Sequence, residues 1–186
     1  MQLEVDDAIV LLLGAPTRSP QLRDQVQGIT RLEKMLFLLE HEFGPANDVD
    51  VSAEFTPHNY GPFSAEIYKA VDILAAAEMV TDSATFSRDA EDAWETANLI
   101  YDRDDLPDSI KYATRDIALT DRGRRYYHAL TQEVPVELIE KVGRFKDRFG
   151  AMPLRQLIRY VYEKPEYEAY LTRSTIRDEI IGRGRE

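Results

Sequence analysis

Three features of this sequence predict a mainly α fold with a small β-wing. Residues 29–80 read as two apolar helices joined by a turn-rich segment that contains His58-Asn59-Tyr60-Gly61-Pro62. Two β-prone runs follow, 80–88 and 113–119, and they suit the strands of a hairpin. A helix then opens at Thr120-Asp121, directly behind the second run. Helix, turn, helix and hairpin in that order predict a winged helix-turn-helix core plus C-terminal helices. The expected division is a winged-helix domain over 1–131, with a long acidic insertion in its wing at about 88–112, and a C-terminal helical extension over 132–186 packed on it.

The elements follow from local chemistry. Leu3, Val5, Ala8, Ile9, Leu12 and Leu13 recur at helical spacing, with Glu4, Asp6 and Asp7 in the first turn, where acids suit the helix dipole. Gly14-Ala15-Pro16 stops this helix, and residues 15–28 are polar enough to be a connector. The next helix starts at Thr30, where Thr30-x-x-Glu33 matches a capping box. Leu32, Met35, Leu36, Leu39 and Phe43 form its stripe, and Phe37 and Leu38 widen it, so the helix belongs at the centre of the fold.

Residues 49–56 alternate loosely and predict one short strand, and Pro57 to Pro62 a turn. Ser64 caps a helix to Met79 that buries Ile67, Ala70, Val71, Leu74 and Ala77. Its other face shows Ala65, Tyr68, Lys69, Asp72 and Ala76. Between the two wing strands lies an acidic segment in which Ala90 to Ile100, carrying Trp94, reads nearly equally as a short helix or as extended chain. Behind the wing come Arg122, Arg124 and Arg125, then Pro135 at a first helical position. Leu138, Val142, Phe145 and Phe149 make a narrow 4-3-4 seam, which suits packing on another helix of the chain or on a second copy in a homodimer. Pro153 opens a helix with Leu154, Leu157, Ile158 and Val161 on one face, and Ser174 is placed to cap a last short one.

Composition narrows the function. The chain has no cysteine, which removes disulfides, thiolate zinc sites and cysteine nucleophiles, and fits a cytoplasmic protein. The apolar run near the N-terminus has acidic flanks and is too short to span a bilayer, so no membrane partner is expected. Net charge is −11, unevenly spread: residues 1–121 carry 9 basic and 24 acidic side chains, residues 122–186 carry 14 and 10. An acidic front opposes phosphate and suits a basic protein partner.

Catalytic motifs are missing. There is no G-x-S-x-G elbow and no glycine-rich phosphate loop. His41, His58 and His128 have no second ligand at a metal-type spacing. The expectation is a non-enzymatic protein with no metal and no cofactor. A DNA reader needs a groove-entering helix with phosphate contacts around it. The candidates are Tyr68 and Lys69 on helix 64–79, with Arg122, Arg124 and Arg125 behind the wing.

Three motifs carry a family resemblance. They are Ile29 to Glu40 (I-x-x-L-x-K-x-L-F-L-L-E), Tyr60 to Leu74 (Y-G-P-F-S-x-E-I-Y-x-x-V-D-x-L) and Leu119 to Gly123 (L-T-D-R-G). Their order resembles that of the YwgA-like winged-helix proteins of bacteria and archaea, and of the related Panacea domain of SocA-like antitoxins. Leu157 to Tyr167 resembles their C-terminal helical part. The resemblance implies a winged-helix scaffold used for protein contacts in antitoxins, and it supplies no catalytic residue. Sequence alone thus favours a DNA-binding transcriptional regulator, with an antitoxin- or adaptor-type protein-interaction module as the alternative.

Overall fold

The computed structural model describes residues 3–43, 51–58, 61–86, 113–174 and 176–182. The acidic insertion expected in the wing, including residues 90–100, lies outside the described residues. Among the described residues the fold is mostly helical, with a small antiparallel sheet and a separate hairpin.

Helix α1 (Val5–Gly14) begins where the acids predict and stops before Pro16. All six residues from Ala8 to Leu13 are buried. A helix enclosed on every side is a core helix, and each of its leucines and isoleucines contributes about 2 kcal/mol of apolar burial. The stretch predicted as connector holds a 3-10 turn (Pro20–Leu22) and a two-residue strand, β1 (Gln25–Val26). Two residues carry too little pattern to be read as a strand.

Helix α2 (Ile29–Phe43) is buried continuously from Leu32 to Leu39, as its wide apolar surface predicts. The capping box is a correction. Thr30 is the second residue of the helix, and both carboxylate oxygens of Glu33 are committed elsewhere, to the Ser64 N–H and to Lys34. The strand expected at 49–56 is also displaced. The pairing is a short hairpin, β2 (Thr56–His58) against β3 (Gly61–Phe63). Helix α3 (Ala65–Ala76) then runs one turn shorter than expected.

Strands β4 (Val80–Phe86) and β5 (Ala113–Leu119) pair antiparallel from Val80↔Leu119 to Phe86↔Ala113, and β1 adds to the other edge of β5. The sheet order is therefore β1-β5-β4. Helix α4 (Asp121–Leu130) starts against the α3–β4 turn, with Thr120 Oγ1 accepting the Gly123 N–H at 3.1 Å. A Cβ on Gly123 would stand 2.0 Å from the Met79 carbonyl oxygen, which explains the glycine of L-T-D-R-G. Tyr126 on α4 donates to Asp7 on α1 at 2.5 Å, and that bond pushes its phenol up to about 12.

Helices α5 (Val136–Gly150) and α6 (Leu154–Tyr162) cover α2, and α5 also reaches α1. Pro135 caps α5 instead of opening it. The Leu138/Val142/Phe145/Phe149 seam is buried inside one chain, so it supplies no dimer surface. A 3-10 segment (Pro165–Leu171) packs on the β2–β3 hairpin. The last helix, α7 (Arg177–Ile181), has Ile176 at its N-cap position. Ser174 instead meets the Tyr162 hydroxyl at 2.9 Å. One apolar cluster runs from α1 through α2 to α6 and α7.

Candidate functional site

Helix α3 is held by a buried polar network that begins in α2. Glu33 and Lys34 are 3% and 1% exposed. Lys34 Nζ donates to Glu33 at 2.7 Å and also to the Pro62 carbonyl oxygen. The other carboxylate oxygen of Glu33 accepts the Ser64 N–H at 3.1 Å. Ser64 Oγ donates to the Ala53 carbonyl and accepts the Ile67 N–H, which makes Ser64 the N-cap that its position predicts. Two charges without water are tolerable only when both are paired and hydrogen-bonded, as here. Gly61 has φ +87°, and a Cβ there would stand 2.8 Å from the Tyr162 ring. The Gly61-Pro62 strand is thus pressed between α2 and α6, and it aims α3.

The outward face of α3 carries Ala65, Lys69, Asp72, Ile73 and Ala76, all exposed. Ile73, absent from the sequence-level candidates, is 63% exposed. It follows Lys69 by four residues, so helical spacing alone places it beside that lysine. Lys69 does not stand free. Its ammonium is 2.7 Å from Glu66, and the hydrogen bond and charge of Glu66 hold its pKa above the ordinary lysine value. A surface depression beside it is lined by Glu4, Asp6, Glu54 and Glu66 together with Ile73. Those carboxylates come from α1, the 51–55 segment and α3, so their convergence is invisible in sequence order.

Tyr68 lies on the other flank of α3. It is half-buried, its ring 5.4 Å from Phe63, which in turn is 4.8 Å from His58. Asp72, expected to repel phosphate, is bound at 3.0 Å by Arg115 of β5. Arg115 also meets Asp82 of β4, so one guanidinium ties both β4 and β5 to α3. Arg115 shares a face of β5 with Ile117 and Leu119, two and four residues on, and those two enter the core.

The three arginines that follow β5 do not converge on this face. They sit on the first turn and a half of α4, at the root of the β4–β5 hairpin where Val80 opposes Leu119. Arg124 is partnered by Asp121, by the Leu119 carbonyl at 3.1 Å and by Asp24 at 3.6 Å. Arg122 and Arg125 are exposed. The five candidates therefore form two groups, Tyr68 and Lys69 in the first half of α3, and the arginines on a helix packed against α1 and β5.

Elsewhere, His41 is enclosed by Phe37, Phe55, Tyr167 and Tyr170, and burial lowers its pKa. No group of acids and histidines suited to a metal occurs among the described residues, and no helix among them is long and apolar enough to cross a membrane. No family model, curated protein or solved structure matches the chain.

Proposed function

We propose that this chain is a winged-helix protein that works by docking a protein partner on α3, of the antitoxin or adaptor kind that its sequence motifs resemble. Support for the scaffold comes from the order α1-β1-α2-β2-β3-α3-β4-β5, in which a short hairpin separates α2 from α3, and from a sheet in which β5 lies between β1 and β4. In a helix-turn-helix the second helix of the pair is the one offered to the ligand, and here that is α3. A cytoplasmic location belongs to the same proposal and suits a chain without cysteine.

The observation that carries this reading is the electrostatics of the α3 face. The helix has one cation, Lys69, and it is already paired with Glu66 beside a depression lined by four carboxylates. A phosphate brought here would meet repulsion where a DNA reader needs attraction. The second reading, a DNA-binding regulator, draws on the exposed Arg122 and Arg125.

Fluorescence anisotropy with a labelled random-sequence duplex, run from low to physiological salt, separates the two. Docking predicts no salt-dependent binding, and no difference when Arg122, Arg124 and Arg125 are all replaced by alanine. A steep salt slope that flattens in the triple variant would restore the DNA reading.

A further inference from the structure

Ala65, Lys69, Ile73 and Ala76 form a single ridge along α3, each residue one helical turn from the next. The ridge spans about 16 Å at 1.5 Å per residue, the length of three helical turns. Small residues stand at both ends, where the backbone of a second helix can come close, and the large apolar side chain stands between them. Single exposed apolar residues are ordinary on a surface. Ile73 differs because it stands between Lys69 and Ala76 on a helix fixed at its start by a buried ion pair, and because one side of it is walled by carboxylates.

We propose that this ridge binds a basic amphipathic helix. Its apolar stripe would lie on Ala65, Ile73 and Ala76, and its arginines or lysines would reach Glu4, Asp6, Glu54 and Glu66. The inference rests on the docking reading above and names the partner's chemistry. Charge complementarity selects this occupant. A second copy packing its α3 antiparallel on this face through a two-fold axis would set one acidic wall against another, which counts against that homodimer. Binding would also exchange the Lys69–Glu66 pair for contacts to the incoming cations, so Lys69 reports on occupancy.

The test is an NMR titration of isotope-labelled full-length protein with three synthetic amphipathic helices. All share one apolar stripe, and their polar faces carry arginine, glutamine or glutamate. The arginine peptide is expected to shift the amides of 65–76 and of Glu4 to Asp6, and to weaken as salt rises. Ile73→Asp should reduce its affinity about tenfold, as loss of a central apolar anchor does. The double change Glu54→Gln with Glu66→Gln should weaken it about fivefold by removing two ion-pair partners. The pair Glu137→Gln with Glu140→Gln, on α5, should leave it unchanged, which controls for general attraction to an acidic chain.

All these positions are on the surface, and the amide spectrum verifies the fold of each variant. If the glutamine peptide binds α3 as well as the arginine peptide does, the basic partner is overturned while docking on α3 stands. If no peptide shifts α3, both are overturned. If the shifts spread over the surface and the α5 control loses as much as the α3 variants, the ridge is overturned.

Discussion

Lys146 lies in the middle of α5 with its side chain fully buried, and its ammonium donates to the Leu13 carbonyl at the end of α1. Burial lowers its pKa from 10.5 to about 8, against the weaker pull of Asp24 and Asp147. Between pH 8 and 10.5 the unfolded chain therefore binds a proton that the folded chain does not. Stability should rise with pH across that window, by as much as about 3 kcal/mol. Denaturant unfolding of the protein and of Lys146→Met at several pH values isolates this contribution, because every other titrating group is common to both. Parallel stability curves would refute it. Nothing in the sequence announced this residue. A lysine between Phe145 and Phe149 reads as the solvent side of the seam, and only the approach of α1, more than a hundred residues earlier, encloses it. Glu33 misled for the same reason: a local pattern suggested a cap, and a distant serine claimed the carboxylate.

Among the elements, the β4–β5 pair and α3 are joined through one side chain. Arg115 holds Asp82 and Asp72 together, and Asp72 is 70% exposed, so the bridge is partly screened by solvent. Arg115→Met should cost about 1 kcal/mol, the range of a half-exposed ion pair, and should leave the fold intact. Hydrogen exchange is the sharper measurement. Amides of β4 and of the second half of α3 should exchange faster while α2 is unaffected. Uniform acceleration would mean that Arg115 acts on global stability alone. Strong periodicity made most elements legible in the sequence. Strand β5 matches its predicted limits, Ser64 caps α3 as expected, and α4 opens at the expected Thr120-Asp121. Legibility failed where elements are short. Strand β1 has two residues and β2 three, and each is a strand only because a partner lies beside it.

At the scale of the whole molecule, the C-terminal helices are part of the core that the N-terminal ones begin. Helices α5 and α6 lie on α2, and the apolar cluster passes through all three. A fragment ending at residue 131 would leave much of the Leu32–Leu39 surface open to water. It should lose the cooperative thermal transition of the full chain, as followed by circular dichroism. A fragment that melts cooperatively would show the first 131 residues to be self-sufficient. The acidic bias of the N-terminal two thirds was readable from composition, but its focus was not. Four carboxylates converge beside Ile73 because α1, the 51–55 segment and α3 meet there. The arginines, clustered in sequence, are divided by the turn of α4 and by the acids that claim Arg124.

The Gly61-Pro62 strand, pressed between Lys34 on one side and Tyr162 on the other, also sets a schedule for synthesis. A ribosome releases the strand and its α2 partner early, and Tyr162 roughly a hundred residues later. At about 5–20 residues per second, that is an interval on the order of 5–20 seconds. Throughout it the α2 surface that α5 and α6 cover in the finished fold stays incomplete on the nascent chain. The hairpin that aims α3 is therefore clamped on both sides only once α6 has been made.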